Sequence, residues 1–269
     1  MKFSFTMKYN ENIAACIAEV AEVAGYLWQK GWAERNGGNI SYNITPFVDD
    51  MLAGCGLLYG PVALPRPFEN LSENYFLVTG TGRRMRYVAS SPMDNMSIIR
   101  ILDGGRAYGI VAEKAIVPTS ELPSHLSVHS YLAGRGDGYM AVIHTHPIEL
   151  VAMTHHREFL EKDVLSRLLW SMIPETRAFC PKGVGIVPYR LPGSLALADA
   201  TIACLDQYDV VLWEKHGALA VGENVVEAFD MIDTLSKSAQ IYISGCAMGF
   251  IPEGMSDAQM QELKQAFNL

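Results

Sequence analysis

Two histidines separated by one residue close the run Ala141-Val142-Ile143-His144-Thr145-His146-Pro147. Side chains two apart on a strand share a face, so His144 and His146 can present imidazole nitrogens to one metal ion. Two ligands do not close a site. His216, in Trp213-Glu214-Lys215-His216-Gly217-Ala218, stands at a tight turn between two strand-like runs and can supply a third. Three histidines leave positions on a zinc ion open to water or substrate, which is how a catalytic ion is held. Taken alone, a His-x-His pair serves equally well as a hydrogen-bonding strand end.

A carboxylate and several hydroxyls occur together in Val117-Pro118-Thr119-Ser120-Glu121-Leu122-Pro123-Ser124-His125. Thr119 or Ser120 can cap a helix whose first free N–H groups attract an anion, with Glu121 beside it as a base. The same residues also read as an ordinary cap with an acidic first turn. His125 and His129 would lie on the helix face of Glu121, lining the core or bonding to ligand residues. His155 and His156 follow a helix and read as solvated. Two glycine-rich loops, Arg35-Asn36-Gly37-Gly38-Asn39 and Thr79-Gly80-Thr81-Gly82-Arg83, allow close backbone approach and offer neutral Asn and Thr donors suited to phosphate. Neither carries the lysine spacing of a P-loop or a full dinucleotide fingerprint. His-Thr-His followed by Glu149 also resembles the ligand run of cupin barrels, but long helical segments argue against an all-β barrel.

The elements that must position these groups alternate along the chain. Ile13, Ile17, Val20, Ala24 and Leu27 predict a helix from Asn10 to Lys30, stopped by Gly31. Further helices are predicted over Glu121–Leu132, Pro147–Thr154, Glu158–Met172, Ser194–Gln207, Asn224–Met248 and Asp257–Phe267. Strands are predicted over Asn39–Ile44, Tyr75–Thr79, Ser97–Leu102, Ala107–Val111, Met140–His144, Asp209–Trp213 and Ala218–Val221. The Gly- and Pro-rich stretch from Thr45 to Pro67 reads as an irregular excursion, reaching to about residue 74, inside one domain spanning residues 1–269. Interleaved strands and helices imply an α/β protein, a sheet covered on both faces in three α/β/α layers.

With 269 residues, 49% of them hydrophobic, the chain can bury a sizeable core. Its 21 basic and 29 acidic residues give a formal charge of -8, which repels a phosphate backbone and argues against nucleic-acid binding. A phosphate on a small substrate would have to be held by backbone amides and hydroxyls. Cys16, Cys55, Cys180, Cys204 and Cys246 are odd in number and widely spaced, as expected of reduced thiols in a cytoplasmic protein. Met1 to Asn10 holds no apolar run of signal-peptide length, and no segment of about 18 residues is apolar enough to predict a membrane span.

Taken in order, the segments Lys30 to Asn39, Val78 to Gly82, Val117 to His125, His144-Thr145-His146 and Trp213 to Gly217 resemble the class II, zinc-dependent sugar-phosphate aldolases and the related adducin head, over roughly Asn10 to Gly249. The resemblance implies a mixed, largely antiparallel central sheet. It also implies reversible aldol cleavage of L-rhamnulose 1-phosphate to dihydroxyacetone phosphate and L-lactaldehyde, with L-fuculose 1-phosphate aldolases, L-ribulose 5-phosphate 4-epimerases and a non-catalytic adducin-like module as alternatives. By the family pattern one Zn2+ per subunit is held by His144, His146 and His216, and Glu121 is the acid/base. Asn36, Gly38, Asn39, Thr79, Gly80, Thr119 and Ser120 match the phosphate-binding segments. Glu175 matches a second catalytic glutamate contributed by a neighbouring subunit of a homotetramer.

Overall fold

The computed structural model describes residues 9–111 and 113–268. Most of Met1 to Asn10, read above for a leader, lies outside the described residues. Among the described residues nine strands form one sheet: β1 (Asn39–Asn43), β2 (Tyr59–Ala63), β3 (Tyr75–Thr79), β4 (Met96–Leu102), β5 (Ala107–Ile110), β6 (Ala141–Thr145), β7 (Val184–Val187), β8 (Val210–Trp213) and β9 (Gly217–Gly222). Their order is β2-β5-β4-β3-β1-β6-β9-β8-β7. Every neighbouring pair is antiparallel except β7 with β8.

Ten α-helices among the described residues accompany them: α1 (Glu11–Gln29), α2 (Asp50–Ala53), α3 (Met85–Ser90), α4 (Leu122–Arg135), α5 (Ile148–Met153), α6 (Val164–Met172), α7 (Pro174–Phe179), α8 (Leu195–Leu205), α9 (Val225–Ala247) and α10 (Asp257–Ala266). The long ones begin at polar caps that satisfy otherwise free amides. The Asn10, Ser194 and Asn224 side chains accept from the N–H groups of Ile13, Leu197 and Glu227. None of the described helices is long and apolar enough to cross a membrane.

Strand alternation divides the core in two. Val142, Val211, Trp213, Leu219 and Val221 face α4 and α8, where Val128, Leu132, Leu197 and Leu205 cover them. Their neighbours in sequence, Ala141, Ile143, Val210, Leu212, Ala218 and Ala220, face the other way and pack into the larger cluster with α1, α5 and α9. His144 follows Val142 by two and so turns toward the α4 layer. β1 pairs with β6 in a register that sets Asn39 opposite His144 and Ser41 opposite Val142, which places Asn39 and Ser41 on that same face.

The structure departs from the sequence reading in several elements. The excursion after Thr45 contains α2 and β2, and β2 is an edge strand whose Gly60 and Pro61 hide it from a pattern search. The segment 158–172 is not one helix. Asp163 takes a left-handed φ of 63° and separates a short 3-10 turn at Arg157–Leu160 from α6. β7, α3 and α7 are each too short to generate a periodic signal.

Ile143, fully buried at the sheet centre and paired with Ile40, tests this division of the core. Ile143→Ala is expected to lower unfolding free energy by about 2–5 kcal/mol in a denaturant titration.

Candidate active site

Five segments that are distant in sequence meet at one end of β1, β6 and β9. Asn36, Gly37, Gly38, Asn39, Gly80, Thr81, Gly82, Thr119, Ser120, Glu121, His144, His146 and His216 line a cavity of about 190 Å³. Local conformation explains how each arrives. In the first glycine loop Arg35 and Gly38 adopt positive φ, and a Cβ on Gly38 would sit 3.0 Å from the His144 carbonyl oxygen. The main-chain N–H of His146 and the Thr145 hydroxyl both donate to the Trp32 carbonyl, tying this loop to the end of β6. The segments around Gly80 and Thr119 are joined by N–H donation from Thr119 to the Thr79 carbonyl and from Thr81 to the Val117 carbonyl.

The three imidazoles converge, with one nitrogen from each lying within 4.8 Å of the others. His216 reaches the cluster from the three-residue turn between β8 and β9, where Lys215 takes a φ of 59°. The Trp213 ring stacks on His144 with centroids 4.4 Å apart. Gly217 must be glycine for the rings to fit, since a Cβ there would lie 2.5 Å from the Thr145 carbonyl oxygen and 2.8 Å from His144 Cε1.

The donor set fits a divalent metal. His144 Nδ1–H donates to the Ala218 carbonyl at 3.0 Å, and burial together with the neighbouring His146 and His216 keeps His144 far below the ordinary histidine range. His146 Nδ1 contacts Glu34 Oε1 at 2.7 Å. These partners fix the tautomers, so that both Nε2 atoms turn lone pairs toward the cavity, only 3.2 Å apart. Lone pairs at that distance repel unless a cation lies between them. Burial lowers His216 to about 4, and its buried Nδ1 has no partner among the described residues.

Glu121 occupies the N-cap position of α4, yet its side chain bonds to no helical amide. The expected Thr119 or Ser120 cap is not formed. The Thr119 hydroxyl instead accepts the Glu121 N–H at 3.3 Å. The carboxylate turns toward the sheet, where Oε2 accepts from Asn39 Nδ2 at 2.8 Å and lies 3.9 Å from His144 Nε2. Burial raises its pKa, and the Asn39 hydrogen bond and the nearby His146 oppose that rise.

Of the twelve site residues expected from sequence, ten line the cavity. Thr79 and Glu175 do not. The buried Thr79 hydroxyl accepts from the Ile40 N–H at 3.0 Å, which commits it to the β1–β3 pairing. Glu175, exposed in the first turn of α7, stands outside the cavity. The Asn39 amide, expected among phosphate ligands, is engaged with Glu121. Sequence reasoning missed Glu34 as the partner of His146, although it lies only two residues before Asn36. Gly37 belongs with it: a Cβ there would approach His146 Nδ1 to 3.0 Å.

Residues 18–243 match the family described as Class II Aldolase and Adducin N-terminal domain, and the chain belongs to that family. It is 57% identical over 257 residues to a rhamnulose-1-phosphate aldolase from Bacteroides thetaiotaomicron, covering 96% of both chains. A rhamnulose-1-phosphate aldolase from Enterococcus faecalis is 34% identical over 265 residues, covering 95% of this chain and 92% of its own. Among solved structures, a sugar-phosphate aldolase from Thermotoga maritima superposes with a TM-score of 0.78 at 32% identity, over 90% of this chain and 99% of its own.

Because Gly217 admits the two histidine rings, Gly217→Ala is expected to weaken zinc binding by about 10–100-fold in a chelator competition, with the circular dichroism spectrum retained.

Proposed function

We propose that this chain cleaves L-rhamnulose 1-phosphate reversibly to dihydroxyacetone phosphate and L-lactaldehyde. The observation that carries the reading is the carboxylate of Glu121 held 3.9 Å from His144 Nε2, beside a cluster of three histidines, in a cavity bordered by neutral donors. The choice of sugar rests on the identity with the Bacteroides and Enterococcus relatives. L-fuculose 1-phosphate aldolase shares the fold at 18% identity, which supports a common scaffold and no more.

In this reading His144, His146 and His216 hold one zinc ion, which when bound supplies a Lewis acid to the carbonyl and adjacent hydroxyl of the ketose. The remaining chemistry belongs to side chains and amides. Asn36, Gly38, Gly80, Thr119 and Ser120 hold the phosphate by neutral hydrogen bonds, as suits a chain of formal charge -8. Glu121 donates a proton to the carbon released when the C–C bond breaks and removes it in synthesis, as microscopic reversibility demands. The hydroxyl proton lost as the aldehyde forms passes to Glu175 of a neighbouring copy. That assignment is supported by its exposure outside its own cavity, near the exposed Phe179. Such an arrangement requires sites at subunit interfaces, as in the homotetramer that the family resemblance implies, and the exposed Met248, Phe250 and Ile251 offer apolar surface for one. Five unpaired cysteines suit a reducing cytoplasm.

A substrate panel run with and without chelator tests reaction, specificity and metal dependence together. Lactaldehyde should form from the rhamnulose ester faster than the corresponding products form from L-fuculose 1-phosphate or L-ribulose 5-phosphate, and activity should vanish with chelator and return with zinc. Glu121→Gln should reduce kcat by about 10²–10⁴-fold while retaining zinc. Failure of the rhamnulose ester to react would reject the specificity. Light scattering should report four chains per particle, and a fully active monomer would remove Glu175 from the mechanism.

A further inference from the structure

Behind Glu121 a chain of buried polar groups runs away from the cavity between β1 and α4. Asn39 Nδ2 donates to Glu121 Oε2 at 2.8 Å, and Asn39 Oδ1 contacts His125 Nε2. His125 Nδ1 lies 2.6 Å from Ser41 Oγ, and Ser41 Oγ lies 2.8 Å from His129 Nε2. Asn39, Ser41, His125 and His129 are all buried, and the His129 ring packs on Phe76. Two periodicities build the chain. Asn39 and Ser41 alternate onto the α4 face of β1, while His125 and His129, four apart, share the sheet face of α4.

The donor directions follow from the end of the chain. An ionised carboxylate only accepts, so Asn39 must turn its NH2 to Glu121 and its carbonyl to His125. His125 must then carry its proton on Nε2 and accept at Nδ1. The Ser41 hydroxyl has to donate to that Nδ1, leaving its oxygen to accept from His129 Nε2–H. Every link is determined, and every donor points toward Glu121. Burial lowers both histidines to about 3, so each ring is neutral with one N–H, as the chain requires.

We propose that Ser41, His125 and His129 are positioning residues that lock the Asn39 amide in one orientation, and through it hold the Glu121 carboxylate against the histidine cluster. Turning that amide over would set its oxygen against the carboxylate and its NH2 against His125 Nε2–H. Both contacts are repulsive, so the buried histidines deny Glu121 an alternative partner geometry. The proposal rests on the acid/base reading of Glu121, and His125 and His129 act on the reaction only through it.

Nitrogen-15 NMR of histidine-labelled protein reads the chain without turnover. His125 and His129 should both be neutral Nε2–H tautomers from pH 6 to 8. In Ser41→Ala, His125 should lose its single-tautomer signature, kcat should fall by about tenfold, and KM and zinc content should stay within about twofold of wild type. Ser41→Thr, which keeps a hydroxyl, should restore both tautomer and kcat. An Nδ1–H His125 in the wild type, or Ser41→Ala with unchanged kcat, would overturn the proposal. Glu121→Gln assayed alongside separates the two readings. If it matches the wild type, the acid/base role fails; if it is inactive while Ser41→Ala keeps full rate, the positioning chain alone fails.

Discussion

Pairing of β1 with β6, and of β6 with β9, sets Asn39, His144 and Leu219 in one row across the sheet. A strand alternates faces with a period of two, so a slip of one residue would turn His144 into the α9 layer and Ile143 toward the cavity. The register is fixed by the apolar side chains that share those strands. Val142 and Val221 on one face, and Ile40, Ile143 and Ala220 on the other, each fit only one layer of helices. The Asn39–His144 pair therefore sits where it does because the apolar residues on either side of it leave no other choice.

That end of the sheet, met by the start of α4, places like groups close together. Two imidazole lone pairs at 3.2 Å, and a carboxylate 3.9 Å from one of them, form a concentration of electron-rich atoms that a divalent cation relieves. The arrangement also explains how an acidic protein handles an anionic substrate. A cation held by the three histidines would concentrate positive charge at one point, and apart from Glu121 the rest of the cavity offers amides and hydroxyls that carry no net charge. Glu34 and the Ala218 carbonyl complete the pattern by fixing which nitrogen of His146 and His144 faces inward.

Much of this was legible in the sequence, for identifiable reasons. The His-x-His spacing, the turn holding His216, the two glycine-rich loops and the hydroxyl-rich entry to α4 are local patterns, and ten of the residues they suggested share one cavity. The layered architecture was legible because α1, α8 and α9 carry caps and long periodic faces. Thr79 could not be assigned from sequence, since its hydroxyl is used by a strand 39 positions away. The same holds for the links from Ser41 to His125 and His129, which span 84 and 88 positions. β7 was hidden by length and by Gly185, whose missing side chain makes room for the Tyr208 ring. β2 was hidden because an edge strand exposed along most of its length has no apolar alternation to display.

His144 belongs to β6, His146 follows its last residue and His216 stands in the turn between β8 and β9, whereas the Glu121 carboxylate enters from the mouth of a helix in another layer. In the proposed reading the ion-holding part and the proton-handling part are thus carried on separate pieces of architecture. Substitutions around residues 117–121 can retune how hydrogen is moved without disturbing the cation's anchors. One scaffold can in this way host different reactions upon the same electrophilic centre.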